Sequence, residues 1–372
     1  MKYYIITGEA SGDLHASNLT RCLQRYDSEA HIRAWGGELL EKQGAEVVKN
    51  YKDLAFMGFV EVVLNLKTIL SNIHFCKQDI LSYQPDIVIL VDYPGFNLRI
   101  AKFLTKHNIR VFYYISPQVW AWHSSRVKKI KAFVNEMFVI LPFEKEFYAK
   151  YEMKVHYFGH PLLDAIQHQQ IDTDFLVLHK LPSLPIIAIL PGSRTQEIKN
   201  MLPTMLKAAS SIPEYQFVIA GIETHNDLYH DICKDNRIPI VYNQTYSLLT
   251  NSHAAMVSSG TATLETALFN VPQVVCYKGN YISYLIAKKL IKNIKYISLV
   301  NLIADKEVVK ELIQNEMNNK TLTRELHRIV FDNESREIML NDYSLLMKKL
   351  GDGDASDKIA RNMVNILKNI KF

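Results

Sequence analysis

Short, almost wholly apolar runs recur through this chain, each followed by a stretch of helical periodicity, and this alternation restricts the fold more than any other feature. The runs are Tyr3 to Ile6, Ile87 to Val91, Val111 to Ile115 and Met137 to Ile140 in the first half, then Ile186 to Leu190, Gln216 to Ala220, Ala254 to Val257 and Gln273 to Tyr277. A strand that is apolar on both faces has to be covered on both, which a parallel sheet flanked by helices achieves. The pattern predicts an α/β protein with two Rossmann-like, doubly wound domains and a cleft between them. Gly159-His-Pro161 and the proline-interrupted stretch from Leu162 to Pro185 read as a linker. The domains are expected at 1–164, completed by C-terminal helices at 343–372, and at 165–342. Beyond residue 300 the pattern turns mainly helical. A Gly351-Asp-Gly-Asp-Ala-Ser356 break precedes a final amphipathic helix, with Asp354 or Ser356 expected as its N-cap.

With 372 residues, 48% hydrophobic and 22% charged, the chain can build two full cores. Its four cysteines, Cys22, Cys76, Cys233 and Cys276, form no CxxC pair and read as reduced thiols of a cytoplasmic protein, not as metal ligands. No HxxH or HExxH spacing appears, and no metal or cofactor is expected; His123, His156 and His160 read as structural or surface residues. No run reaches the ~18 to 20 apolar residues of a membrane-spanning helix. The net charge of +5 is too mild to indicate nucleic acid, and suits anionic substrates or an anionic membrane surface.

Two turns in the second half are suited to phosphate. Val257 leads into Ser258-Ser-Gly-Thr261, where a helix opens, and Ile186 to Leu190 leads through Pro191-Gly-Ser-Arg194 and Glu197 into another helix. Small hydroxyl residues and glycine at a helix start leave backbone N–H groups and the positive dipole end to an anion. Arg194 can pair with a diphosphate in two-pronged fashion, and Glu265, one turn into its helix, can reach a ribose diol. Either turn alone also fits an ordinary N-cap. Together, after parallel strands, they fit one nucleotide at the carboxyl edge of a sheet. Neither is a P-loop or a GxGxxG fingerprint.

In the first half, Thr7-Gly-Glu-Ala-Ser-Gly-Asp13 follows the first strand, with glycines that allow close approach and carboxylates suited to sugar hydroxyls. Asp13 also reads as a cap of its own helix. Asp92, in Asp92-Tyr-Pro-Gly-Phe-Asn97, ends a buried strand, where partial burial would raise its pKa toward useful base strength. Leu54 to Phe75, with Met57, Phe59 and Val60, holds too many apolar residues for one narrow helical stripe. Ser116 to Lys131 joins Trp120 and Trp122 to Arg126, Lys128, Lys129 and Lys131, a pairing suited to acyl chains beneath phosphate head groups. Core packing and a solvated basic face are the alternatives for these two segments.

An ordered set of motifs spans nearly the whole chain: Gly8-Glu-Ala-Ser-Gly-Asp13, Asp92-x-Pro-x-Phe-Asn97, Ser116-Pro-x-Val-Trp-Ala-Trp122 with Arg126, Leu141-Pro-Phe-Glu144, Gly159-His-Pro161, Leu190-Pro-Gly-Ser-Arg194 with Glu197, Ser259-Gly-Thr-Ala-Thr-Leu-Glu265, Asn301 and Glu311-Leu-Ile-Gln314. In these the chain resembles the lipid-A-disaccharide synthase family of GT-B glycosyltransferases. Tyr93 and Gly95 stand where that family commonly has Ala and Asp, and His123 where it has Arg.

The resemblance implies an inverting, metal-independent hexosyltransferase at the cytoplasmic face of the inner membrane. It would join UDP-2,3-diacylglucosamine to 2,3-diacylglucosamine 1-phosphate (lipid X), giving the β-1,6 disaccharide and UDP. Asp92 is expected as general base, with Glu9 as the alternative. Ser193, Arg194, Ser259, Gly260, Thr261, Glu265, Asn301 and Gln314 are expected around the donor. Met57, Phe59, Val60, Trp120, Trp122, Arg126, Lys128 and Lys129 are expected at the acceptor and the membrane. Another GT-B enzyme of UDP-N-acetylglucosamine, such as an epimerase or a peptidoglycan-type transferase, is one rival, and a non-catalytic UDP-sugar or lipid-binding protein is the other.

Overall fold

The structure, a computed structural model, describes residues 1–54, 66–122, 126–167, 169, 171–172, 174–234, 238–279, 284 and 295–370. The chain divides into two units, Met1–Gln167 with Leu350–Phe372, and His168–Lys349. The crossings fall a few residues beyond the expected positions, because the stretch read as a linker starts with a helix, Pro161–Gln167, and the helix Asn333–Leu350 runs unbroken through residue 343.

The first unit holds a seven-stranded sheet of β1 (Lys2–Ile6), β2 (His31–Gly36), β3 (Glu46–Asn50), β4 (Ile87–Val91), β5 (Val111–Tyr114), β6 (Glu136–Val139) and β7 (His156–Tyr157), in the order β3-β2-β1-β4-β5-β6-β7, all parallel. Side chains alternate across each strand. Tyr4, Ile6, Val88, Leu90 and Tyr113 therefore enter one core, while Tyr3, Ile5, Ile89, Val91, Phe112 and Tyr114 enter the other. The second core is closed by Ile359, Ala360, Met363, Val364 and Leu367 of the last helix, Ala355–Ile370.

That helix is capped from afar. Asp354 occupies the N-cap position, its carbonyl accepting the Lys358 N–H at 3.0 Å, but the side-chain cap is Asp164, which accepts the backbone N–H of Ala355 (3.1 Å) and of Ser356 (2.6 Å). The returning chain is pinned by the Gly159 turn as well: His160 N–H donates to the Leu350 carbonyl at 3.0 Å. His15 and His160 are buried, and burial holds them neutral, pulling their pKa values down to about 4 and about 3.

The second unit holds β8 (Ile186–Leu190), β9 (Gln216–Gly221), β10 (Ile240–Tyr242), β11 (Ser252–Ser258), β12 (Gln273–Tyr277) and β13 (Lys310–Ile313), in the order β10-β9-β8-β11-β12-β13, again parallel. The strand β13 interrupts the helical tail expected after residue 300. In both sheets the order reverses beside the first strand, between β1 and β4 and between β8 and β11. Helices following those two strands depart to opposite faces, which opens a crevice at their carboxyl ends.

Candidate active site

At the first switch point, β1 runs into Thr7-Gly8-Glu9 and β4 into Asp92. Asp92 and Tyr93 are both left-handed, at φ 45° and 46°. Two adjacent non-glycine residues in that region store strain of about 1–3 kcal/mol each, and Tyr93 precedes Pro94, which ordinarily favours extended backbone. Ties to the backbone hold the turn. The Asp92 N–H donates to the Tyr114 carbonyl at 3.1 Å, and the Asp92 carbonyl accepts from Tyr113 Oη (2.5 Å) and Asn97 Nδ2 (2.8 Å). Burial first, and then the neighbouring Glu9 charge, push the Asp92 carboxyl up to about 7.

Two glycines in this region make room for specific neighbours. A Cβ on Gly8 would lie 2.5 Å from the Tyr93 ring, and one on Gly12 would lie 2.0 Å from Thr7 Oγ1. Tyr93 thus lies against the Gly8 backbone, and it stacks on Phe96 with centroids 5.5 Å apart. Asp13 belongs elsewhere than expected. Its carboxylate accepts the N–H groups of Gly37 (2.7 Å) and Leu39 (3.1 Å), so it caps the helix Glu38–Lys42 instead of its own and is not open to a sugar.

Along the same sheet edge, Ser116 follows β5 and its hydroxyl shares a 2.6 Å hydrogen bond with Tyr148. Glu144, buried after β6, accepts the N–H groups of Ile140 (3.2 Å) and Leu141 (2.9 Å); burial nevertheless pushes its carboxyl up to about 7. Trp120, partly buried, meets Phe143 edge to face at 5.0 Å. The helix Arg126–Phe133 turns Val127 and Ile130 inward and leaves Lys128, Lys129 and Lys131 exposed, with Arg126 partly so. Met57, Phe59, Val60 and His123 lie outside the described residues, as do the surroundings of the Trp122 side chain. Farther along, Leu70 and Phe75 of the helix Leu66–Tyr83 are exposed, 52% and 46%, while Ile73 is buried. Among the described residues no helix is long and apolar enough to cross a membrane.

The second switch point carries the two anion-suited turns. Gly192 is left-handed (φ 104°), and a Cβ there would lie 2.4 Å from Glu197 Oε2, the atom that accepts the Ser193 N–H at 3.2 Å. Arg194 is the N-cap of the helix Thr195–Ala209. Its side chain is 58% exposed, with a 3.4 Å contact to Glu197 that solvent screens. Across the crevice, Gly260 sits at φ 156°, ψ −160°, a region essentially reserved for glycine, and offers no side-chain cap to the helix Thr261–Leu268. Gly260 and Thr261 are exposed and Ser259 partly so. Glu265 accepts a hydrogen bond from Tyr246 Oη at 2.8 Å, and burial raises its carboxyl above the ordinary range.

The two remaining donor candidates part ways. All four hydrogen-bonding positions of the Asn301 amide are used internally: Nδ2 donates to the Val309 carbonyl and to Glu311, and Oδ1 accepts from the N–H groups of Val308 and Val309. Its side chain is fully buried and braces the 298–311 corner, so it has no capacity left for a nucleotide. Gln314, left-handed at the carboxyl end of β13, is buried with an unpaired Nε2, a donor suited to a ligand carbonyl. Sequence reasoning missed Tyr113 and Tyr246, whose hydroxyls reach distant residues without any local signature. It also missed His225, whose Nε2 lies 3.2 Å from the Ser193 carbonyl.

Two doubly wound parallel sheets, each with glycine-containing turns at its switch point, and a helical C-terminal tail define a GT-B-type protein. Solved structures agree: a UDP co-structure of MnaA from S. aureus superposes with a TM-score of 0.70 at 13% identity, covering 100% of this chain and 98% of that one. A UDP-GlcNAc 2-epimerase from Neisseria meningitidis bound to UDP-GlcNAc gives 0.63 at 15%, covering 98% and 100%. At such identities the likeness is one of fold. In sequence, a profile described as lipid-A-disaccharide synthetase matches residues 3–363. The lipid-A-disaccharide synthase of Syntrophus aciditrophicus is 37% identical over 98% of this chain and 97% of its own, and that of Coxiella burnetii (strain Dugway 5J108-111) is 33% identical over 98% of each. The chain belongs to the lipid-A-disaccharide synthase family, whose members are glycosyltransferases.

Proposed function

We propose that this chain transfers 2,3-diacylglucosamine from its UDP carrier to the 6-hydroxyl of 2,3-diacylglucosamine 1-phosphate, releasing UDP and the β-1,6 disaccharide. Asp92 takes the hydroxyl proton as the oxygen attacks the anomeric carbon; a single displacement inverts the centre and needs one base. The observation that carries this reading is a carboxylate residue, Asp92, at the end of a buried strand, held in a left-handed turn at the first switch point through both its N–H and its carbonyl, in a member of the lipid-A-disaccharide synthase family. Incubation with both substrates tests it: mass analysis should find the disaccharide monophosphate and UDP, and a UDP-sugar left intact or only epimerised would refute it.

The donor is held by the second unit, its diphosphate by Arg194 and the Ser259–Thr261 turn, its ribose by Glu265, with Gln314 adding a donor. As UDP leaves, Arg194 and the helix start at Thr261 balance its growing charge. Arg194→Ala should weaken UDP binding by ~1.5–3 kcal/mol, the worth of a charged hydrogen bond. Calorimetry showing an unchanged Kd would remove Arg194 from the site.

The first unit takes the acceptor and docks on the anionic cytoplasmic face of the inner membrane through Met57, Phe59, Val60 and the Trp120 to Lys131 segment. A variant with serine at positions 57, 59 and 60 should stay folded and bind UDP normally, yet no longer sediment with anionic liposomes. Unfolding of that variant would instead place these side chains in a core.

A further inference from the structure

Asp92 stands in a conformation its own sequence does not favour, and one of the contacts that hold it there is a hydroxyl on the neighbouring strand. β4 and β5 pair in register Val91 to Tyr114, so the strained turn begins beside the end of β5. Tyr113 and Tyr114, adjacent on β5, are both fully buried but enter opposite cores. Only Tyr113 lies on the side that reaches the turn, and its Oη donates to the Asp92 carbonyl at 2.5 Å. Asn97 Nδ2 is 2.8 Å from the same oxygen, and 3.3 Å and 3.5 Å from the carbonyls of Val91 and Ile6, the last residues of β4 and β1.

We infer that Tyr113 is a positioning residue for catalysis: its hydroxyl, with Asn97, locks the left-handed Asp92 peptide and so fixes where the Asp92 carboxylate points. The inference rests on the reading of Asp92 as the base. A buried carbonyl that loses one donor of two keeps a partner, so the cost to folding stays modest. The cost to geometry is larger, because strain stored in the turn is released when its restraint goes. Tyr113→Phe keeps the ring in its core and deletes only that restraint. Tyr114→Phe deletes the same atom from the opposite face and serves as the matched control.

The experiment compares Tyr113→Phe, Tyr114→Phe and Asp92→Asn in the full-length enzyme, measuring kcat, KM, UDP affinity and the pH profile of kcat/KM. Tyr113→Phe should lower kcat by about ten- to a hundredfold, the effect of a misplaced reacting group. Its KM and UDP affinity should hold, and the acid limb of its profile should move to lower pH as the loosened carboxyl meets more water. Tyr114→Phe should match the wild type. If Tyr113→Phe keeps normal kcat and an unmoved limb while Asp92→Asn is inactive, the inference fails and the base assignment stands. If Asp92→Asn itself turns over normally, the base assignment fails and takes the inference with it. Should Tyr113→Phe not fold, Asn97→Ser, which removes the other donor to the same carbonyl, is read for the same kcat-only loss; unfolding of both would assign these contacts to stability and overturn the inference.

Discussion

Replacing Asp92 with asparagine is expected to lower kcat by ~100-fold or more while leaving UDP affinity nearly intact. The substitution keeps shape and removes basicity, and the turn that presents it depends on backbone contacts an amide does not disturb. The wild-type profile supplies a second reading. With the carboxyl raised to about 7, Asp92 is protonated and unable to accept a proton below that pH, so kcat/KM should rise through about pH 7 and level off above it. In Asp92→Asn this limb should vanish from the residual activity. If Asp92→Asn keeps near-normal turnover while Glu9→Gln abolishes it, the two carboxylates exchange roles. Glu9 lies in a glycine-flanked turn suited to hydroxyl binding, whereas Asp92 is held from both its N–H and its carbonyl.

Glu144→Gln should produce a large pH-dependent change in stability. The Glu144 carboxyl ionises near 4.5 when unfolded and at about 7 in the fold. Between those values the native state therefore holds a proton that the unfolded state has lost. Stability from this group is fully present below about pH 4.5 and drains away as pH rises to about 7, at roughly 1.4 kcal/mol per pH unit. Glutamine carries no such dependence. Relative to wild type, the variant should gain about 3 kcal/mol between pH 4.5 and 7.5, whatever constant offset the exchange brings at the Ile140 and Leu141 N–H groups. Urea unfolding of both proteins at the two pH values measures the difference, and parallel curves would show that Glu144 ionises normally. Because only the difference between two proteins is read, the opposing titration of His15 and His160 cancels.

How legible the molecule was depended on where each signal lives along the chain. Strands buried on both faces, such as Ile87–Val91 and Ile186–Leu190, announce themselves because every side chain must be apolar. The edge strands Glu46–Asn50, His156–Tyr157 and Ile240–Tyr242 are short or half-wet and carry no such run. Helix caps were misread for a different reason. Asp13 serves a helix 24 residues onward and Asp164 one nearly two hundred away, and nothing local marks either partner. The glycine-rich turns were readable because they combine a strand end, a small residue and a helix start within a few positions. Asn301 shows the opposite failure: a polar residue in a recognisable motif suggested a ligand, whereas its amide is consumed by its own corner of the fold. The left-handed pair at Asp92 and Tyr93 was invisible, since local rules favour extended backbone before Pro94.

The first unit borrows one wall of its core from a helix that follows the second unit in the chain, and this sets an order of assembly. The second unit is contiguous from residue 168 to 349, so all of its strands have been synthesised before the last helix is made. The first unit, although translated earlier, presents the face bearing Tyr3, Ile5, Ile89 and Phe112 without its Ile359, Met363 and Leu367 cover until the helix Ala355–Ile370 has been made. The half made first is thus completed last. An apolar sheet face left uncovered for most of translation is the kind of surface on which nascent chains aggregate or chaperones bind, and supplying residues 350–372 as a separate peptide to a chain halted before them should restore what the ribosome had not yet delivered.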